Sequence, residues 1–136
     1  MRSAKPLFAA LILTAATAAC MGDAGPRPMS PAQRGALAQT LGGRIAGPEQ
    51  RCLPRSRTGD MVASGGQILF RDGSTLYLTR TGGGCEAIGG IGSTLVIDHP
   101  GEDSLCANSV LKVVNSASGL PEGGCFVEGF IPYRRP

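Results

Sequence analysis

The stretch Gln67–Arg80, QILFRDGSTLYLTR, decides the architecture. Its two runs, Gln67–Arg71 and Ser74–Arg80, flank Asp72-Gly73, two residues that tolerate positive φ and so mark a two-residue hairpin turn. With that turn Phe70 lies opposite Thr75, Leu69 opposite Leu76 and Ile68 opposite Tyr77. One face then carries Leu69, Leu76 and Leu78, and the other Ile68, Phe70 and Tyr77. Both faces are apolar, so the hairpin needs cover on both sides.

Downstream, Thr94–Asp98, Ser109–Val114 and Cys125–Ile131 are β-branched or aromatic and separated by Gly/Pro/Ser-rich stretches. A weaker strand passes through Met61–Ala63. Five or six short strands with such turns predict a mainly β fold, a small antiparallel barrel or sandwich. Two loose loops interrupt it: Gly82–Gly92, with six glycines in eleven residues, and Leu120–Gly124.

Upstream, Ser30 is a helix cap, Pro31 suits the first helical position, and Gly42-Gly43 supplies the stop for a short helix ending at Leu41. Ala36, Leu37 and Leu41 share one face. Eleven residues are marginal as an isolated helix. Residues 30–51 therefore read as a helical spacer and connector, residues 20–29 as a Gly/Pro-rich tether, and residues 52–136 as the β domain.

The first residues read as an address. Arg2 and Lys5 precede an apolar run from Leu7 to Ala16, ten residues that suit a signal peptide and are too few to span a bilayer. Thr17-Ala18-Ala19-Cys20 resembles a lipobox, with Thr17 where Leu is usual. That segment predicts a signal peptide over residues 1–19 and a lipid on Cys20. Cleavage before Ala19, after Ala16-Thr17-Ala18, is the alternative. Cysteine parity favours the lipid: with Cys20 acylated, Cys52, Cys85, Cys106 and Cys125 form two disulfides and no thiol is left over. Of the three connectivities, Cys52–Cys85 with Cys106–Cys125 is preferred here, closing loops that each stabilise by about 3 kcal/mol in the chain-entropy model. A folded unit of this size gains much from such staples.

Several functions are excluded. Lys occurs only at Lys5 and Lys112, so no glycine loop carries a P-loop lysine. Residues 20–136 hold 11 basic and 10 acidic side chains, a near-neutral balance that argues against nucleic acid as a partner. The chain has one His and no C-x-x-C pair, so no metal site, redox motif or cofactor is expected. His99, between Asp98 and Glu102, is the one candidate base for a hydrolase, but Pro100-Gly101 makes that segment read as an exposed turn. Arg51, Arg55 and Arg57, and Arg134-Arg135, read as solvated or as contacts for anionic headgroups or glycan.

A longer pattern comprises Gly43-Arg44, Gly47-Pro48, Cys52, Ile68-Leu69-Phe70 with Asp72-Gly73, and Leu76-Tyr77-Leu78. It continues through Gly84-Cys85, Leu105-Cys106-Ala107-Asn108-Ser109, Gly124-Cys125 and Phe130-Ile131-Pro132-Tyr133. It resembles a family of small exported proteins of unknown function from Gram-negative bacteria, many of them lipoprotein-like. The chain departs at Cys85-Glu86-Ala87, where members often have Cys-Pro-Gly, and at Asn108-Ser109, where they often have Gly-Asp. The resemblance implies no activity and no catalytic residue. The expectation is a non-enzymatic envelope lipoprotein on the periplasmic face of the outer membrane, structural or binding an unknown envelope protein or ligand. Met21, rather than Asp, follows the cysteine and gives no inner-membrane retention signal. A soluble periplasmic binder or inhibitor presenting the Gly82–Gly92 or Leu120–Gly124 loop is the alternative.

Overall fold

The computed structural model describes residues 28–98 and 103–136. In chain order they form α1 (Pro31–Leu41), β1 (Ile45–Ala46), β2 (Cys52–Pro54) and a 3₁₀ turn (Arg55–Arg57). Then come β3 (Asp60–Ser64), β4 (Gln67–Asp72), β5 (Thr75–Thr81), β6 (Ser93–Ile97), β7 (Ser104–Cys106), β8 (Val110–Asn115) and β9 (Pro121–Arg134). One sheet runs β3-β4-β5-β9-β8-β6, antiparallel throughout, with β1 added against β9, and it curls into a half-barrel. The six strands of that path are the six that alternation and β-branching predict. The short strands β1, β2 and β7 have too few residues for a period to be visible.

The β4–β5 hairpin forms with its turn one residue later than expected. Asp72 pairs with Thr75, so Gly73-Ser74 is the two-residue loop, and Phe70 faces Tyr77 rather than Thr75. A turn centred on Asp72-Gly73 needs positive φ at both residues. Only Gly73 has it, at 57°. Partners slip by two residues, and because side chains alternate with period two, each keeps its expected face.

The inner face is the main core. Ile68, Phe70, Tyr77, Leu111, Val113, Val127 and Phe130 are buried there, with the rings of Phe70 and Phe130 6.5 Å apart and tilted by 56°. β9 makes this possible. Its first half pairs with β8 and its second half with β5; a register shift at Arg80/Thr81 falls where β9 changes neighbours, and another at Val113/Val114 falls at the start of β9. The two-stranded β2–β7 ladder closes the core with Leu53 and Leu105, both fully buried.

The cysteines pair as Cys52–Cys106 and Cys85–Cys125, which corrects the sequence-order pairing. Cys52 and Cys106 stand directly opposite in the β2–β7 register, with Cα atoms 4.0 Å apart. Cys125 lies on β9 in mid-sheet and meets Cys85 from the loop after β5. Tertiary neighbours, not sequence neighbours, decide the bonds.

α1 is not a free spacer. Ser30 caps it in a capping box, accepting from Gln33 N (3.2 Å) while Gln33 Oε1 accepts from Ser30 N (2.8 Å). Gly42 ends it in the left-handed conformation. The Thr40 and Ser64 hydroxyls hydrogen-bond at 2.7 Å, and Arg44 Nε donates to Ser74 O at 3.2 Å. Ser64, Val62, Leu69 and Leu78 share the outer sheet face by register, so the helix is the second cover that the hairpin needs. Leu69 and Leu76 are buried on that face, outside the main core cluster. Leu37, Thr40 and Leu41 are half-buried, whereas Ala36, expected on the packed face, is exposed. The connector also joins the sheet: Ile45–Ala46 pairs with β9, and Gln50 bridges Phe130.

At the tight turn after β7, Asn108 has φ 73°, the one non-glycine positive φ among the described residues. Asn, like Gly, enters this region at low cost. Asn108→Gly is expected to change stability by under ~0.5 kcal/mol, and Asn108→Val to cost at least ~1–2 kcal/mol, read from urea midpoints.

Candidate functional site: a glycine-rich loop rim

Strict antiparallel alternation places the β3–β4 turn (Gly65-Gly66), the β5–β6 loop (residues 82–92) and the β8–β9 turn (residues 116–120) at one end of the sheet. The N-terminus of α1 reaches the same end, where the Gln33 backbone packs on Gly65. Thr40, near the C-terminus of α1, still meets Ser64 beside the β3–β4 turn, and the Arg44 side chain beyond the helix reaches Ser74 in the β4–β5 turn at the opposite end.

This rim is built by close backbone approach. Gly84 (φ 96°) lies against Gly123 and Gly124, so that a Cβ on Gly84 would run into the Gly124 carbonyl and a Cβ on Gly123 into the Gly84 carbonyl. Only glycine on both sides permits the contact. It also explains a correction: residues 121–124, expected as loop, are the start of β9, pairing with β8. Gly123-Gly124 carries no side-chain period, so the strand is invisible in the alternation. Gly92 O accepts from both Ser116 N (2.7 Å) and Ser116 Oγ (2.8 Å), tying the 82–92 loop to the β8–β9 turn. Asn115 Oδ1 holds that turn by accepting from Ala117 N and Ser118 N.

The 82–92 loop has a buried side and a bare tip. Cys85 and Ile88 point into the core, while Ile91, between Gly90 and Gly92, is fully exposed. Leu120 in the turn bound to this loop is 64% exposed. The two acids of the rim are turned back onto its own backbone and side chains: Glu86 Oε2 accepts from Gly84 N (2.9 Å), and Glu122 Oε1 from Asn115 Nδ2 (3.2 Å). Beside the rim, a cleft of about 250 Å³ opens under the α1 N-terminus, lined by Met29, Ser30, Gln33, Gly66, Thr81 and Glu86 among others. Such a rim offers apolar tips and backbone hydrogen-bonding groups on a rigid, crosslinked support. It can bind a surface.

The other expected site residues are placed as follows. Cys20, His99 and Glu102 lie outside the described residues. Asp98 forms an exposed ion pair with Lys112 at 2.6 Å. Arg57 pairs with Asp72 at 3.1 Å and donates to Tyr77 Oη at 3.1 Å, with its guanidinium over the Tyr77 ring. Arg134 and Arg135 are exposed at the end of β9, on the side opposite the loop rim. Among the described residues no group of three His, Cys, Asp or Glu side chains is placed to hold a metal ion, and no helix is long and apolar enough to cross a membrane. Ile91 and Leu120 escaped the reading of the sequence. The available signal was a lone large apolar residue between chain-breaking residues, Gly90 and Gly92 around Ile91 and Gly119 and Pro121 around Leu120, outside any strand period. No family model, curated protein or solved structure matches the chain.

Proposed function

We propose that the chain is a cell-envelope lipoprotein, anchored through Cys20 and carrying a disulfide-stapled β domain with a non-enzymatic structural or partner-binding role on the periplasmic face of the outer membrane. The observation that carries this reading is the cysteine pairing. Cys52, Cys106, Cys85 and Cys125 are joined among themselves, and Cys20, directly after the small residues Thr17-Ala18-Ala19, is the fifth. Two structural disulfides suit an oxidising compartment. There a fifth, unpaired thiol is a liability that acylation removes.

The test is the unreduced intact mass of protein taken from membranes and from the soluble fraction of its native host. The expected species starts at Cys20, is heavier by its acyl chains, and is lighter by the four hydrogens of two disulfides. Cys20→Ser is expected to move the protein from the membrane to the soluble fraction, because it removes the acyl chains and leaves the domain intact. A soluble species starting at Ala19 would overturn the anchor. It would favour a diffusible binder that presents its loops to an envelope enzyme, a reading that the Ala16-Thr17-Ala18 cleavage box supports.

A further inference from the structure

We propose that the loop rim is the membrane-facing end of the domain, with Ile91 and Leu120 seated in the interfacial layer of the bilayer; this rests on the lipid at Cys20. The first argument is the reach of the chain. From Cys20 to Pro28 there are eight Cα steps, which extend to no more than about 29 Å. Pro28 and Met29 lie on the cleft shared with Gly65, Gly66, Gly83 and Glu86, so the tether arrives at the rim itself. The opposite end stands farther away by the length of β4, about 20 Å for its six residues.

The second argument is the contrast between the two ends. The loop segments of the rim, 64–67, 82–92 and 115–122, carry only Glu86 and Glu122 as charged residues, both engaged within the rim, and the N-terminal part of α1 beside them adds Arg34, which donates to Met29 O. Their exposed large apolar side chains are Ile91 and Leu120. The far end collects Arg44, Arg57, Arg71, Asp72, Arg134 and Arg135. Apolar tips inserted about 5–10 Å into the headgroup boundary gain burial, while charged groups held away from it keep their hydration. The loops are fixed by the Cys85–Cys125 bond and the Gly92–Ser116 contacts, so seating the tips demands little further ordering.

The chain contains no Trp, so one introduced tryptophan is a unique reporter. The lipidated full-length protein is reconstituted in vesicles of phosphatidylethanolamine and phosphatidylglycerol, with brominated acyl chains as quencher. Three variants are compared: Ile91→Trp, Leu120→Trp, and Ile45→Trp as the far-end control, where Ile45 is 61% exposed and paired with Arg134. The first two are expected to show blue-shifted emission and at least about twofold stronger quenching than the control. If the protein carries its acyl chains and floats with the vesicles, but Ile91→Trp is quenched no more than Ile45→Trp, the rim assignment is overturned while the anchor stands; the tips are then open to a protein partner. If the protein carries no acyl mass and does not float, both readings fall. If the Cys20→Ser protein carrying Ile91→Trp is still quenched by vesicles, the rim is a membrane surface in its own right.

Discussion

A chain carrying Cys85→Ala and Cys125→Ala is expected to lose about 4 kcal/mol of stability in urea unfolding. The crosslink spans 40 residues, and in the chain-entropy model a loop of that size restricts the unfolded chain by about that amount. Cys52–Cys106 spans 54 residues and has a similar value by the same reasoning. The two loops interleave along the chain, so the effects are not additive. Exposure separates the bonds. Cys85 and Cys125 are both buried, whereas Cys52 is exposed and Cys106 half-buried at the β2–β7 ladder. Mild reductant under native conditions is therefore expected to open Cys52–Cys106 first, because a thiolate must reach the sulfur it attacks. Differential alkylation followed by peptide mapping reads the order. Equal rates at both sites would contradict the buried position of Cys85–Cys125.

Gly84→Ala is expected to destabilise the domain by about 3 kcal/mol. Its left-handed φ of 96° costs an alanine ~1–2 kcal/mol, and the new Cβ has to push apart two backbones that now touch. The atom it meets is a main-chain carbonyl, which cannot swing aside as a flexible side chain does. Because Gly84 and Gly124 are each adjacent to a cysteine of the same disulfide, the displacement also strains the path of that crosslink. For a domain of this size the change corresponds to a Tm lower by more than about 10 °C. Gly82→Ala is the control. Gly82 has no positive φ, and its Cβ would make only an ordinary 3.7 Å contact with Glu128 Oε1. A change under ~1 kcal/mol is expected there. Similar losses for both variants would show that the close approach of Gly84 to Gly123-Gly124 is not what holds the rim.

The glycines mark where the reading of the sequence stopped. Six of them in Gly82–Gly92 read correctly as an irregular connection, yet nothing local distinguishes Gly84, which has a backbone against it, from Gly82, which does not. In Gly123-Gly124 the same silence hid the start of β9. At the rim, Gly90 and Gly92 around Ile91 signalled a turn, but not that Ile88 faces inward and Ile91 outward. Those directions follow from where the loop crosses the core.

By itself the sequence determined what local chemistry can encode. Alternation at Gln67–Arg80 set the faces of the central hairpin, and they survived a two-residue slip of register because side chains repeat every two residues. Ser30 and Gly42 bounded the helix because they satisfy or end its free backbone groups. The tertiary structure decided everything that depends on which distant segments become neighbours. It placed β9 between β5 and β8, which joined Cys85 to Cys125 and left Cys52 for Cys106. It laid α1 against β3, and it gathered Gly65-Gly66, Ile91 and Leu120 at the end where the N-terminus of α1 lies. Contacts between segments tens of residues apart arise from the burial of whole faces and the closure of long loops, and neither is written in any short run of residues.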